Sequence, residues 1–196
     1  MKLKVLILND RDKDSGFGGQ ASFIKNLHPF LEKEYDLTYL TLSAVYHQQK
    51  IIPIRLLYLF RVICFMIRKR ENFDLIISHT PEASFAASLF TVPFVHIFHG
   101  NANPLSMSKF RIGKYFRGVF DRFETRIKRK AGLLYTVGEP GKNAIKIYNP
   151  IAYIPERILP YGERRDFIFS GRLENVKNVD MIIKRYDTLP DQIKQN

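Results

Sequence analysis

With 196 residues, 45% of them hydrophobic, the chain is long enough for one well-buried α/β domain and too short for two full ones, and its composition excludes a disordered polypeptide. Lysine and arginine number 31 against 19 acidic residues, a formal net charge of +12 that directs the protein towards anions such as nucleotide, nucleic-acid or lipid phosphates without choosing among them. The single cysteine, Cys64, excludes an intrachain disulfide, fits a reducing cytoplasm and, set within Val62-Ile63-Cys64-Phe65-Met66, reads as a small buried thiol.

In chain order, Lys4-Val5-Leu6-Ile7-Leu8 is a continuous apolar run suited to a central parallel strand. It meets the polar Asn9-Asp10-Arg11-Asp12 too soon to be the core of a secretion signal. A loop through Gly16-Phe17-Gly18-Gly19 follows, and from about Gln20 the residues Ala21, Ile24, Leu27, Phe30 and Leu31 recur at helical spacing. Tyr35 to Leu42 alternates as a second strand. Ile54 to about Arg70 reads as a helix; Pro53, Arg55 and Arg61 argue against a membrane span there, because central arginines are costly in lipid. Asp74 to His79 is a strand, Pro81 to Phe90 a short helix opened by proline, and Phe94 to Phe98 another strand. A long helix from about Ser108 to Lys130 precedes a strand at Gly132 to Val137, and a last strand, Asp166 to Phe169, leads into a closing helix.

Strands and helices alternating at this spacing predict an α/β fold, a Rossmann-like parallel sheet with helices on both faces. Residues 1–150 form that domain, 151–165 a linker, and 166–196 the start of a second domain. Parallel sheets of this kind place ligands at the carboxyl ends of their strands. The conspicuous residues fall there: the Gly16 to Gly19 loop, Ser78-His79-Thr80, Phe98-His99-Gly100-Asn101 and Val137-Gly138-Glu139.

Gly16, Gly18 and Ala21 formally match the G-x-G-x-x-A pattern of dinucleotide-binding folds. Against it stand the polar run that delays the first glycine and the lack of an acidic residue near Leu42-Ser43 to take a ribose hydroxyl. His99, ending a hydrophobic strand, can donate to a sugar hydroxyl or phosphate, or be a satisfied structural histidine, which is the reading for His28, His47 and His96; His79 is open. His96 and His99 are a poor pair of metal ligands, and no metal site is assigned. Glu139 belongs to the cleft or complements a helix dipole. In the helix from Phe110 to Lys130, Ile112, Phe116, Val119, Phe120, Phe123 and Ile127 form one stripe. It reads as core under a solvated basic face, or as a surface for anionic lipid extended by Arg68-Lys69-Arg70. Aromatic residues, 13% of the chain, lie within apolar patterns rather than interleaved with basic ones, which disfavours nucleic acid as a ligand.

Phe167-Ile168-Phe169-Ser170-Gly171-Arg172-Leu173-Glu174-Asn175-Val176-Lys177-Asn178 reads as an apolar strand, a glycine turn, then a guanidinium and an ammonium opening a helix, an arrangement suited to a diphosphate. It resembles the start of the second domain in retaining GT-B-fold glycosyltransferases of the group 1, family 4 type. From the first strand to about Tyr186 the chain resembles the amino-terminal domain of that family plus one strand and helix of a truncated donor-binding domain. The resemblance implies that Arg172 and Lys177 hold the donor diphosphate, that Gly18 and Gly19 form the loop approaching phosphate or sugar, and that His99 acts catalytically by orienting the donor sugar. It implies no metal and no cofactor, the nucleotide sugar being a substrate. The acceptor is a glycan or lipid-linked molecule of cell-surface polysaccharide synthesis, handled in the cytoplasm or peripherally on the inner face of the membrane. With most of the donor domain absent, residues 1–196 alone are expected to transfer sugar negligibly, or to need a partner chain that completes the second domain. The competing expectation is a non-enzymatic basic α/β module that binds anionic lipid or, less favoured, nucleic acid.

Overall fold

The computed structural model describes residues 2–12, 14, 19–45, 54–69, 72–100, 117–138, 143–151 and 179–190. The chain divides into two compact units, Met1–Ala152 and Tyr153–Asn196.

In the first unit the elements run β1 (Leu3–Asn9), α1 (Gly19–Glu34), β2 (Tyr35–Thr41), a 3-10 turn (Ser43–Val45), α2 (Ile54–Lys69), β3 (Leu75–Ser78), α3 (Pro81–Ala87), β4 (Phe94–Phe98), α4 (Arg117–Lys130), β5 (Leu133–Thr136) and β6 (Ile145–Lys146). The described strands form one sheet in the order β2-β1-β3-β4-β5-β6, every neighbouring pair parallel. This is the Rossmann-like α/β architecture that the alternating pattern predicts. The chain steps from β1 to β2 on one side and then returns across β1 to β3 on the other, so the direction of winding reverses between β1 and β3. Right-handed crossovers therefore place α1 on one face of the sheet and α2, α3 and α4 on the other.

The packing follows from that division. Val5, Ile7 and Ile97 pack with Phe23 and Ile24 of α1 on one face. On the other face Leu6, Leu8 and Ile76 pack with Tyr58, Val62 and Met66 of α2, Ala83 and Ala86 of α3 and Ile127 of α4. Alternation along β1 sends consecutive side chains to the two faces, and the run from Val5 to Leu8 is fully buried, which makes it a central strand. Each such side chain contributes on the order of 2 kcal/mol. The Tyr58 hydroxyl satisfies its one buried polar group by donating to the Leu40 carbonyl at 2.7 Å.

The apolar run that forms α2 carries two stripes. Tyr58, Leu59, Val62 and Met66 face the core, whereas Leu56, Phe60 and Ile67 point to solvent, and Cys64 is exposed beside them. The buried thiol expected from the flanking residues is thus corrected: the 3.6-residue period turns Cys64 away from the core stripe. On α4, Ile127 is buried and Phe123 packs beneath, but Val119 is exposed, so the predicted stripe covers core only over the helix's second half. Residues 108–116, where that helix was expected to begin, lie outside the described residues. The short edge strand β6 has no counterpart in the sequence prediction, because two residues carry no readable period.

In the second unit α5 (Val179–Asp187) has no buried residue, and Val179, Ile182, Ile183 and Tyr186 share one side of it by spacing. The expected strand Asp166 to Phe169 and, beyond Ile151, the expected linker 151–165 lie outside the described residues.

Candidate functional site

In open parallel sheets the ligand crevice lies beyond the carboxyl ends of the strands, where the winding reverses. Here that point is the gap beyond β1 and β3. The register pairs Leu8 with Ser78, and the His79 amide donates to the Leu8 carbonyl at 2.9 Å, so Asn9-Asp10 and His79-Thr80 emerge side by side. β4 ends alongside at Phe98, which delivers His99 to the same edge.

The opening of α1 is stitched to this edge by Gln20. Its Nε2 donates to Asn9 Oδ1 at 2.5 Å and to the His79 carbonyl at 3.3 Å, while Asn9 Nδ2 donates to the Arg11 carbonyl at 2.7 Å. Behind the stitch, His79 Nδ1 and His99 Nε2 share a hydrogen bond of 2.8 Å. The two rings lie 5.1 Å apart, and Phe23 of α1 presents its edge geometry to both, at 5.7 Å from His79 and 5.2 Å from His99. His79 is 5% exposed and its Nε2 has no hydrogen-bond partner among the described residues.

Burial dominates the titration of this pair. It holds His79 well below the ordinary imidazole range, reinforced by repulsion from His99 and His96. It brings His99 down to about 4, against a smaller opposing pull from Asp10. At neutral pH the pair is therefore two uncharged imidazoles with one proton in the bond between them. His96, one strand-face away, is brought to about 3 by burial and by His99, and its Nδ1 is 2.6 Å from Ser84 Oγ. It is a core histidine, but not the fully satisfied one expected from the sequence, because its Nε2 is buried with no hydrogen-bond partner among the described residues. His28, bonded at 2.7 Å to the Tyr39 hydroxyl and paired with Glu32 at 3.2 Å, has the same structural character.

On the opposite face of the same edge stands an ionic cluster that the sequence reading passed over. Arg55, in the first turn of α2, donates to Asp10 Oδ2 at 2.9 Å and to Glu82 Oε1 at 2.5 Å. Burial alone would lower the Arg55 guanidinium, but Glu82 and Asp10 outweigh it and hold it above its ordinary value. Burial raises the Glu82 carboxyl, and Arg55 pulls it back part of the way. Two signals were available in the sequence. Asp10 follows the first strand directly, and Glu82 sits after Pro81 at a helix start, where an acid complements the dipole.

Of the residues singled out from sequence, the structure brings His79 and His99 into contact and sets Gly19 at the start of α1 beside them. Gly19 does not have a positive φ, and a Cβ added there would meet open space, so neither backbone strain nor crowding by the protein calls for glycine. Gly18, Glu139, Arg172 and Lys177, together with His47, lie outside the described residues. Asn9, Asp10, Gln20, Phe23, Arg55 and Glu82 join the site from the structure.

Neither the protein-family models nor the curated proteins contain a match to this chain. Among solved structures it is similar to RosB with the bound intermediate 8-demethyl-8-formylriboflavin-5'-phosphate, at 13% identity and a TM-score of 0.37, over 78% of this chain and 68% of that one. A likeness of that size carries no argument about activity.

Proposed function

We propose that the protein is a glycosyltransferase, or a portion of one, that moves a sugar from a nucleotide sugar to a glycan or lipid-linked acceptor, with the carboxyl edge of the sheet as its ligand site. The observation that supports this reading is the neutral His79–His99 pair beside the open first turn of α1 at the winding reversal. Uncharged imidazoles suit the hydroxyls of a sugar, and the first-turn amides of α1, which have no partner within the helix and no acidic residue in that turn, suit a phosphate. Arg172 and Lys177 would neutralise the departing diphosphate in this reading. The test is titration of the isotope-labelled protein with a panel of uridine- and guanosine-diphosphate sugars. One member is expected to shift the amides of Gly19 and Gln20 and the ring of His99, with affinity reduced about tenfold by His99→Ala, the loss of one hydrogen bond to a charged ligand. Silence from the whole panel, or binding indifferent to His99→Ala, overturns the reading.

A second reading, a module that docks on anionic lipid, is favoured by one specific observation. α2 turns Leu56, Phe60 and Ile67 outward, at 41%, 54% and 66% exposure, and contains Arg61, Arg68 and Lys69 but no acidic residue. No helix among the described residues is long and apolar enough to cross a membrane. Co-sedimentation with phosphatidylglycerol vesicles that is abolished by Phe60→Ser with Ile67→Ser supports docking through α2; co-sedimentation unchanged by that pair, or none at all, removes it.

A further inference from the structure

The hydrogen bond between His79 and His99 can be made in two ways, and the surroundings distinguish them. A neutral imidazole carries one N–H. If His99 Nε2–H donates, His79 must carry its own proton on Nε2, the buried nitrogen that has no partner among the described residues. That arrangement strands an N–H in the protein interior. If His79 Nδ1–H donates, Nε2 of His79 is a bare lone pair, and His99 carries its proton on Nδ1. Stranded N–H donors are scarcer in protein interiors than under-satisfied acceptors.

We infer that His79 is a positioning residue that fixes the proton of His99 on Nδ1, making His99 a hydrogen-bond donor to an anionic oxygen of the ligand, such as a phosphoryl oxygen, and not a proton acceptor. The ligand half of this inference rests on the carboxyl edge being the ligand site; the tautomer half does not. A ring that offers only N–H to the ligand cannot remove a proton from an acceptor hydroxyl, so His99 stabilises and orients, and any general base belongs elsewhere. The part-buried setting of His99 brings its pKa to about 4, which keeps the ring neutral and the tautomer defined at physiological pH.

Long-range proton–nitrogen spectra of the full chain labelled with nitrogen-15 histidine test this directly at pH 7. The expected spectrum shows Nδ1 of both His79 and His99 as pyrrole-type nitrogens and Nε2 of both as pyridine-type. A pyrrole-type Nε2 on His99, or averaged shifts, overturns the assignment with no variant needed. His79→Phe should release His99 to the ordinary Nε2–H tautomer, and His79→Asn, whose amide stands where Nδ1–H was, should restore the Nδ1–H signature. A His99 spectrum unchanged in His79→Phe refutes the positioning role. Inorganic pyrophosphate is the ligand probe: it should move the His99 Nδ1–H proton signal, with affinity about tenfold weaker in His79→Phe and recovered in His79→Asn. No movement at saturating pyrophosphate overturns the donor role. A failed tautomer leaves nucleotide-sugar binding untouched, and absent nucleotide-sugar binding leaves the tautomer standing, so the two ideas fail separately.

Discussion

The two faces of the sheet's carboxyl edge solve the problem of buried polarity in opposite ways. On the α2/α3 face, Asp10, Arg55 and Glu82 are charged and held against one another, and they tie the first turns of two helices to the end of β1. On the α1 face, His79 and His99 are neutral, share a single hydrogen bond and leave Nε2 of His79 without a partner among the described residues. An ionic cluster whose carboxylates face a shared guanidinium specifies how elements meet even though Asp10 Oδ1 is left without a hydrogen-bond partner among the described residues, whereas a neutral pair joined by one hydrogen bond beside a helix start gives the fold little. The contrast separates polar groups that serve architecture from those available to a ligand.

The largest effect should come from breaking the architectural side. Arg55→Ala leaves the Glu82 carboxylate, 7% exposed, without its counter-charge. Because solvent reaches nearly half of the Arg55 side chain and Glu82 can protonate in response, a loss of about 3 kcal/mol, the low end for a broken buried pair, is expected. Urea unfolding measures it. A loss below about 1 kcal/mol, the value of an exposed ion pair, would mean that Arg55 does not hold the edge together.

Acidification probes the other face. In the unfolded chain the histidines titrate near the ordinary value of about 6.5. In the fold His99 and His96 wait until about 4 and about 3, and His79 also lies well below its ordinary value. Above about 6.5 they are neutral in both states and contribute no pH dependence. Below it the unfolded chain binds protons that the folded chain refuses, so stability falls as pH drops from about 6.5 towards 4. Glu82 acts in the opposite sense, since its raised carboxyl takes up a proton earlier when folded. Urea midpoints across this range should therefore decline less steeply than the three histidines alone dictate, and Glu82→Gln should steepen the decline. A flat profile would place the imidazoles in water.

His79→Phe sharpens the comparison. It removes one neutral hydrogen bond and an unsatisfied nitrogen but leaves His99 Nε2 unpaired at a part-buried position, so stability should fall by about 1 kcal/mol, less than for Arg55→Ala. A loss as large as that of Arg55→Ala would erase the distinction between the two faces.

Much of this was legible in the sequence because it depends on local period. The apolar run Val5 to Leu8, the alternation from Tyr35, and Pro81 opening a helix announced strands and helices close to where they lie. Placing His79 and His99 at strand ends required only those boundaries together with a parallel sheet. What stayed hidden depends on tertiary placement. That β3 pairs with β1 rather than β2, and so brings His79 next to Asn9 and within reach of His99, is a property of the crossover and not of any short segment. The Arg55 cluster joins residues far apart in sequence, and its arginine entered the sequence reading only as an argument against a membrane span. Cys64 misled for a related reason: composition cannot say which side of a helix with apolar residues all round meets the core.

The smallest effect on stability, and the finest division between fold and ligand, should come from Gly19→Ala. The protein leaves open space where the new methyl would go, and the backbone there does not occupy the left-handed region. Alanine in place of glycine at a helix start reduces the freedom of the unfolded chain, so stability should hold or rise by about 0.5 kcal/mol. If glycine is present so that a phosphate can approach the bare amides at the start of α1, the same methyl should weaken binding of whichever nucleotide sugar the titration identifies, while the urea midpoint does not fall. A variant that binds as the parent does would show that Gly19 lies off the ligand's path. A variant that loses stability would show that the fold, and not the ligand, requires glycine there.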